Sequence, residues 1–129
     1  KEFDVPMLRR VFPEGTCLRD VVVEESDATS FGRQMGSYPI LVGIPLHLPA
    51  GTAIDAVVVS HGARSVTALP VPVAVNTLPP SALRWLPGVG KKRAAQLSAR
   101  RPFADLSSFH RAIGTETTVD RYLTFEERR

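Results

Sequence analysis

The sequence predicts an α+β chain, a small β-barrel followed by an all-α region of about four short helices. Three observations carry this. Residues 16–71 hold β-branched runs such as Val21-Val22-Val23 and Val57-Val58-Val59, cut by turn signals and with no helical pattern between them. At Pro70 and Pro72 the pattern changes, and apolar residues then recur at helical spacing. Within the helical part, Pro87-Gly88-Val89-Gly90 separates two such segments and is followed at once by three cations, Lys91, Lys92 and Arg93.

A chain of 129 residues is enough for one domain or two small ones. The expected division is a helix and linker over 1–15, the barrel over 16–75, the helical domain over 76–123 and a tail over 124–129. The first residue is Lys rather than Met. The expectation is therefore that the chain is processed or cut from a longer parent.

Asp4 to Phe12 reads as a short helix, with Asp4 as cap and Pro6 in the first turn, where a missing N–H costs nothing. Met7, Leu8, Val11 and Phe12 form an apolar stripe that needs a cover, either the barrel or a parent domain. Five strands are expected: Cys17–Glu24, Thr29–Gln34, Tyr38–Gly43, Thr52–His61 and Ser65–Val71. Gly32, Gly36 and Gly43 fit bends and bulges. Five short strands without an intervening helix argue a small OB-like barrel.

Val71–Asn76 reads as a stiff linker or a last edge strand. Thr77 is the expected cap of a helix over Leu78–Leu86, whose first turn accepts Pro79 and Pro80, with Trp85 packed inward. A second helix runs from about Lys91 to Arg100 and stops before Pro102. Asp105 caps a third over Leu106–Ala112, and a fourth is expected over about Glu116–Leu123. The polar tail Thr124–Arg129 is expected to fray.

The turn at Pro87–Gly90 is where the sequence carries chemistry. Gly88 and Gly90 permit positive φ and close approach of another backbone, with Val89 between them. The helix that follows opens with unpaired N–H groups and the positive end of its dipole, which suits a phosphate. Lys91, Lys92 and Arg93 add charge at that end. From Ser81 to Arg111 there are seven Lys or Arg against one acid, whereas residues 1–80 carry six against eight acids. The basic face therefore belongs to this region. A two-helix packing turn with solvated lysines is the alternative reading. Arg111-Ala112-Ile113-Gly114 has a similar shape, but Thr115 and Glu116 follow it, and a carboxylate there repels phosphate. That turn reads as structural.

With its flanks Leu83, Leu86, Ala94, Leu97 and Arg101-Pro102-Phe103, the first turn resembles the helix-hairpin-helix motif, a non-sequence-specific nucleic-acid binder. The order from Val75 to Tyr122 is similar to the helix-hairpin-helix region of competence-type DNA receptors. Upstream, the stretch Thr29 to Gly43 and Arg64-Ser65-Val66-Thr67-Ala68-Leu69 resemble the TRAM domain, a barrel appended to RNA-modifying enzymes. The two in this order resemble the C-terminal region of an archaeal family of radical-SAM iron–sulfur proteins. The resemblance implies a parent that carries an iron–sulfur cluster and S-adenosylmethionine. The radical-SAM Cys-x3-Cys-x2-Cys is absent here, and Cys17 is the single cysteine. No cofactor is therefore expected in this chain.

No catalytic constellation is visible. Glu24 and Glu25 are neighbours on a strand and point to opposite faces. Ser60-His61 has no third partner at a diagnostic spacing. His47, His61 and His110 lack metal-ligand spacing. No apolar run approaches the roughly 20 residues of a membrane span, and no signal peptide is visible. The expected setting is cytoplasmic.

The expected function is non-catalytic binding of nucleic acid, RNA before DNA, on behalf of the parent's catalytic domain. Gly88, Val89, Gly90, Lys91, Lys92 and Arg93 hold the backbone, and Arg33 and Arg64 on the barrel give a second, weaker surface. Two rivals stand beside it: a protein-interaction module that docks the parent's catalytic domain, and a DNA-binding module.

Overall fold

The computed structural model describes residues 9–34, 40–62 and 65–125. The chain divides between Pro70 and Val71 into two compact units.

The first unit is a closed barrel of five strands: β1 (Cys17–Ser26), β2 (Ser30–Gln34), β3 (Leu41–Ile44), β4 (Ala53–His61) and β5 (Ser65–Pro70). Around the barrel the order is β1-β2-β3-β5-β4, and β4 pairs with β1 to close it. Neighbours are antiparallel except β3 and β5, which run parallel with Val42 opposite Val66. Closure leaves no open edge to template aggregation.

Alternation, shifted by an irregularity between Leu18 and Val21, places Leu18, Val21, Val42, Ile44, Val58 and Val66 in the barrel interior. Val57, Val58 and Val59 are all buried, as a β-branched run covered on both sides requires. At Gly32 a Cβ would stand 2.3 Å from the Val22 carbonyl oxygen, so only glycine lets β2 approach β1 here. Ser30 is fully buried, and its hydroxyl donates to the Leu46 carbonyl at 2.7 Å and accepts from the Leu48 N–H at 2.8 Å. That pair of bonds fixes the loop after β3.

Residues 9–11 are helical. Of the expected apolar stripe, Phe12 enters the barrel core while Val11 is 43% exposed. Asp4, Pro6, Met7 and Leu8 lie outside the described residues, as do Gly36 and Tyr38.

In the second unit, β6 (Val73–Ala74) pairs in parallel with β7 (Leu123–Thr124). Between them come α1 (Pro80–Leu83), α2 (Gly90–Arg100), α3 (Leu106–Ile113) and a 3-10 turn at Asp120–Tyr122. Residues 71–76, expected as a linker or edge strand, thus belong to this unit, and Val73 and Val75 are fully buried.

Two helical expectations need correction. The helix expected over Leu78–Leu86 is α-helical only at Pro80–Leu83. Beyond it, the N–H groups of Trp85, Leu86 and Val89 each donate three residues back, to Ala82, Leu83 and Leu86. The chain thus descends to the glycines in tight turns. Thr77 does not cap it; Pro79 occupies the cap position without a side-chain bond. The fourth helix, expected over about Glu116–Leu123, is a 3-10 helix confined to Asp120–Tyr122, and just before it the Asp120 carboxylate captures the N–H and hydroxyl of Thr117.

The tail is anchored as far as Phe125. Thr124 pairs in β7, and the Phe125 carbonyl accepts from Asn76 Nδ2 at 2.9 Å. The Phe125 ring lies 5.9 Å from Phe109, which is fully buried and also meets Phe103 edge-on at 5.7 Å. Residues 126–129 lie outside the described set.

Candidate functional site

The turn between α1 and α2 is built from backbone. Gly88 and Gly90 have φ of 86° and 72°, a left-handed conformation that strains any residue with a Cβ. The Gly90 N–H donates to the Arg84 carbonyl at 3.2 Å, and the Val89 N–H to the Leu86 carbonyl at 3.0 Å. These are two of the four N–H groups that a helix start leaves without intrahelical partners. The other two belong to Lys91 and Lys92. Val89 at the N-cap has no side chain able to reach them, and the first turn of α2 holds no acid. Two N–H donors and two exposed ammonium groups therefore share one helix end.

Arg93 is placed differently. Its guanidinium donates to the carbonyl oxygen of Ile113, at the end of α3. Gly88 comes close to the same second turn: a Cβ there would lie 3.4 Å from Thr115 Cγ2. The two turns face each other and hold the hairpin in shape.

The second turn is closed to anions. Gly114 ends α3 with φ of 78°, and its N–H donates to the His110 carbonyl at 2.7 Å. The Thr117 N–H then meets both oxygens of Asp120 at 3.2 Å, and its hydroxyl donates to Oδ1 at 2.7 Å. His110 Nε2 lies 2.9 Å from Asp120 Oδ2, close in distance but off the line of a hydrogen bond. Burial raises the Asp120 carboxyl, but the His110 imidazole and the Thr117 donors lower it further, so it stays below its ordinary value. A fixed negative charge already occupies this position.

Of the expected barrel cations, Arg33 is paired with Glu24 at 3.2 Å, which reduces its pull on phosphate. Arg64 lies outside the described residues. His61 Nε2 donates to the Phe12 carbonyl at 2.6 Å and so serves the first unit's own backbone.

Trp85 is partly buried, and the Arg84 guanidinium lies over its ring at 5.2 Å. The sequence shows Arg84 and Trp85 as neighbours but not that they stack. Beside this pair, α1 and α2 enclose a surface pocket of ≈ 320 Å³ lined by Pro80, Ser81, Arg84, Lys91, Ala94 and Ala95. The sequence does hold a signal for the Asp120 cap, a Thr three residues before an acid at Thr117–Asp120.

Among the described residues no cluster of His, Cys, Asp and Glu could hold a metal ion, and no helix is long and apolar enough to cross a membrane.

The chain is similar to two archaeal proteins, both described only as uncharacterized. It is 34% identical over 119 residues to one from Archaeoglobus fulgidus, a match that covers 92% of this chain and 22% of that protein. It is 53% identical over 70 residues to one from Methanocaldococcus jannaschii, covering 52% of this chain and 13% of that protein. The chain thus spans less than a quarter of the length of each relative. No family model matches it, and no solved structure matches significantly.

Proposed function

We propose that this chain is a non-catalytic nucleic-acid-binding region, RNA favoured over DNA, that acts beside a catalytic domain in a longer protein. The carrying observation is the contrast between two turns, one that opens α2 and one that ends α3 and opens no α-helix. At the start of α2, Lys91 and Lys92 offer N–H groups and ammonium groups with no competing acid in that turn. After α3, the Asp120 carboxylate already holds the Thr117 N–H. A phosphate is favoured at the first and repelled at the second. Phosphate binding of this kind gives affinity without sequence readout.

In this reading the second unit is a helix-hairpin-helix domain and the barrel is OB- or TRAM-like. The barrel order β1-β2-β3-β5-β4 with a parallel β3–β5 pair supports the second assignment. TRAM-like barrels accompany RNA modification, hence the preference for RNA. A radical-SAM parent, with its cluster and S-adenosylmethionine, belongs to the same reading. Its cofactors do not fit this chain, whose single cysteine cannot replace the several thiolates of a cluster. The region delivers nucleic acid to chemistry done elsewhere. Docking of a partner domain is the second reading, favoured by Val11 at 43% exposure.

Fluorescence anisotropy on labelled RNA at several salt concentrations tests the proposal. Lys91→Ala with Lys92→Ala should weaken binding to RNA and duplex DNA alike. It should flatten the salt dependence by about 0.7 to 0.9 units of slope for each phosphate no longer neutralised. Glu116→Ala should leave binding unchanged or slightly stronger. A double lysine variant that binds like the wild type would reduce the turn to a packing element and favour the docking reading.

A further inference from the structure

The pocket between α1 and α2 lies beside the phosphate seat, and this inference rests on the nucleic-acid reading above. We propose that the pocket takes the base of an unpaired nucleotide, so that the chain prefers single strands or strand ends to continuous duplex.

Four features of the pocket point there. Its volume of ≈ 320 Å³ falls at the lower end of the about 300–1,000 Å³ found for small-molecule sites. The Pro80 ring and the methyl groups of Ala94 and Ala95 give it an apolar lining. Its charged members are Arg84 and Lys91, and no carboxylate among the described residues lines it. The occupant is therefore flat or apolar in one part and anionic in another, as a nucleotide is.

The fourth feature is position. Arg84 follows α1 directly and Lys91 is the second residue of α2, so both charges stand at the turn end of the pocket. Lys91 also carries one of the two N–H groups left over at the helix start. A strand whose phosphate rests on Lys91 brings its adjoining base to the pocket mouth. There the base meets a guanidinium already backed by the Trp85 ring, 5.2 Å away. Stacking on such surfaces tolerates any base. In a continuous duplex both faces of each base are covered by neighbours, so the pocket goes unused.

The test compares a labelled single-stranded oligouridylate with an RNA duplex of equal length, by anisotropy at matched salt, using the 129-residue chain. Ala95 is exposed on α2, and Leu is a good helix former, so Ala95→Leu fills the pocket without disturbing the fold. The wild type should bind the single strand at least about fivefold more tightly than the duplex, and Ala95→Leu should lose that margin with duplex binding held within about twofold. Trp85 is the sole tryptophan, and oligouridylate should change its fluorescence in the wild type and not in Ala95→Leu.

A wild type that binds duplex as well as single strand, or an Ala95→Leu variant that keeps the margin, overturns the pocket proposal and leaves the phosphate seat standing. Binding of neither polymer overturns the nucleic-acid reading, and the pocket proposal with it.

Discussion

The Arg93 guanidinium donates to the Ile113 carbonyl oxygen and so joins the opening of α2 to the end of α3. A cation that the sequence groups with Lys91 and Lys92 is thereby committed to the domain's own backbone. Arg93→Ala should lower stability by about 1 kcal/mol, the loss of one partly buried hydrogen bond. The salt slope of RNA binding should stay that of the wild type. Urea unfolding and anisotropy on the same variant separate the two effects. A slope reduced as much as in the lysine variants would return Arg93 to the phosphate-binding set.

The two turn glycines should differ in cost. Both have positive φ, but a Cβ at Gly90 meets nothing within 4 Å, whereas at Gly88 it meets Thr115 Cγ2 at 3.4 Å. Gly90→Ala should cost about 1 to 2 kcal/mol from backbone strain alone. Gly88→Ala should cost more, because Thr115 must also shift. Replacing Thr115 by Ser alongside Gly88→Ala should recover the difference. Urea midpoints of the three variants decide it.

Acid should loosen the second unit through Asp120. Its carboxyl titrates lower folded than the ordinary 3.8, so the unfolded chain binds the proton first as pH falls. The stabilising contribution is complete above about pH 4 and disappears as pH drops through the lowered folded value. Asp105 acts in the same direction, held low by the Ser108 N–H and then by its hydroxyl. Asp120→Asn should be less stable than the wild type at neutral pH and converge on it in acid. Urea midpoints measured from neutral pH down to acid report this, and parallel pH curves for the two proteins would contradict it.

Gly32→Ala should disrupt the barrel. The new Cβ would stand 2.3 Å from the Val22 carbonyl oxygen, which is backbone and cannot turn aside. The β1–β2 pairing must open, at a cost of about 3 kcal/mol or more. Thermal unfolding followed by far-UV circular dichroism should show it. A melting temperature equal to that of the wild type would mean that the strands can separate freely at this point.

The strand half of the fold is legible in the sequence because turn residues punctuate it. Cys17 opens β1, Gln34 ends β2 and His61 ends β4, as the residues suggest. β1 runs to Ser26, beyond the expected Glu24, because Ser26 still pairs with Ser30 across the hairpin. The helical half is less legible. Tight three-residue turns over Trp85–Val89 have nearly the period of an α-helix, so apolar spacing cannot separate them. At Glu116–Leu123 the helical pattern is realised only as the 3-10 helix Asp120–Tyr122. Arg93 is the clearest case at the site: its partner is a carbonyl 20 residues away, and no local pattern encodes that.

The parallel pairing of Val73–Ala74 with Leu123–Thr124 sets the order of events as the chain leaves the ribosome. Every strand of the barrel has been made once Pro70 emerges. The second unit begins with a strand whose partner is made some fifty residues later, about the last part of the unit to appear. Val73 and Val75, fully buried in the finished protein, are therefore made before all three helices and before the strand that pairs with Val73. The barrel strands are thus all synthesised before the helical unit, whose small sheet can pair only when its final strand is made.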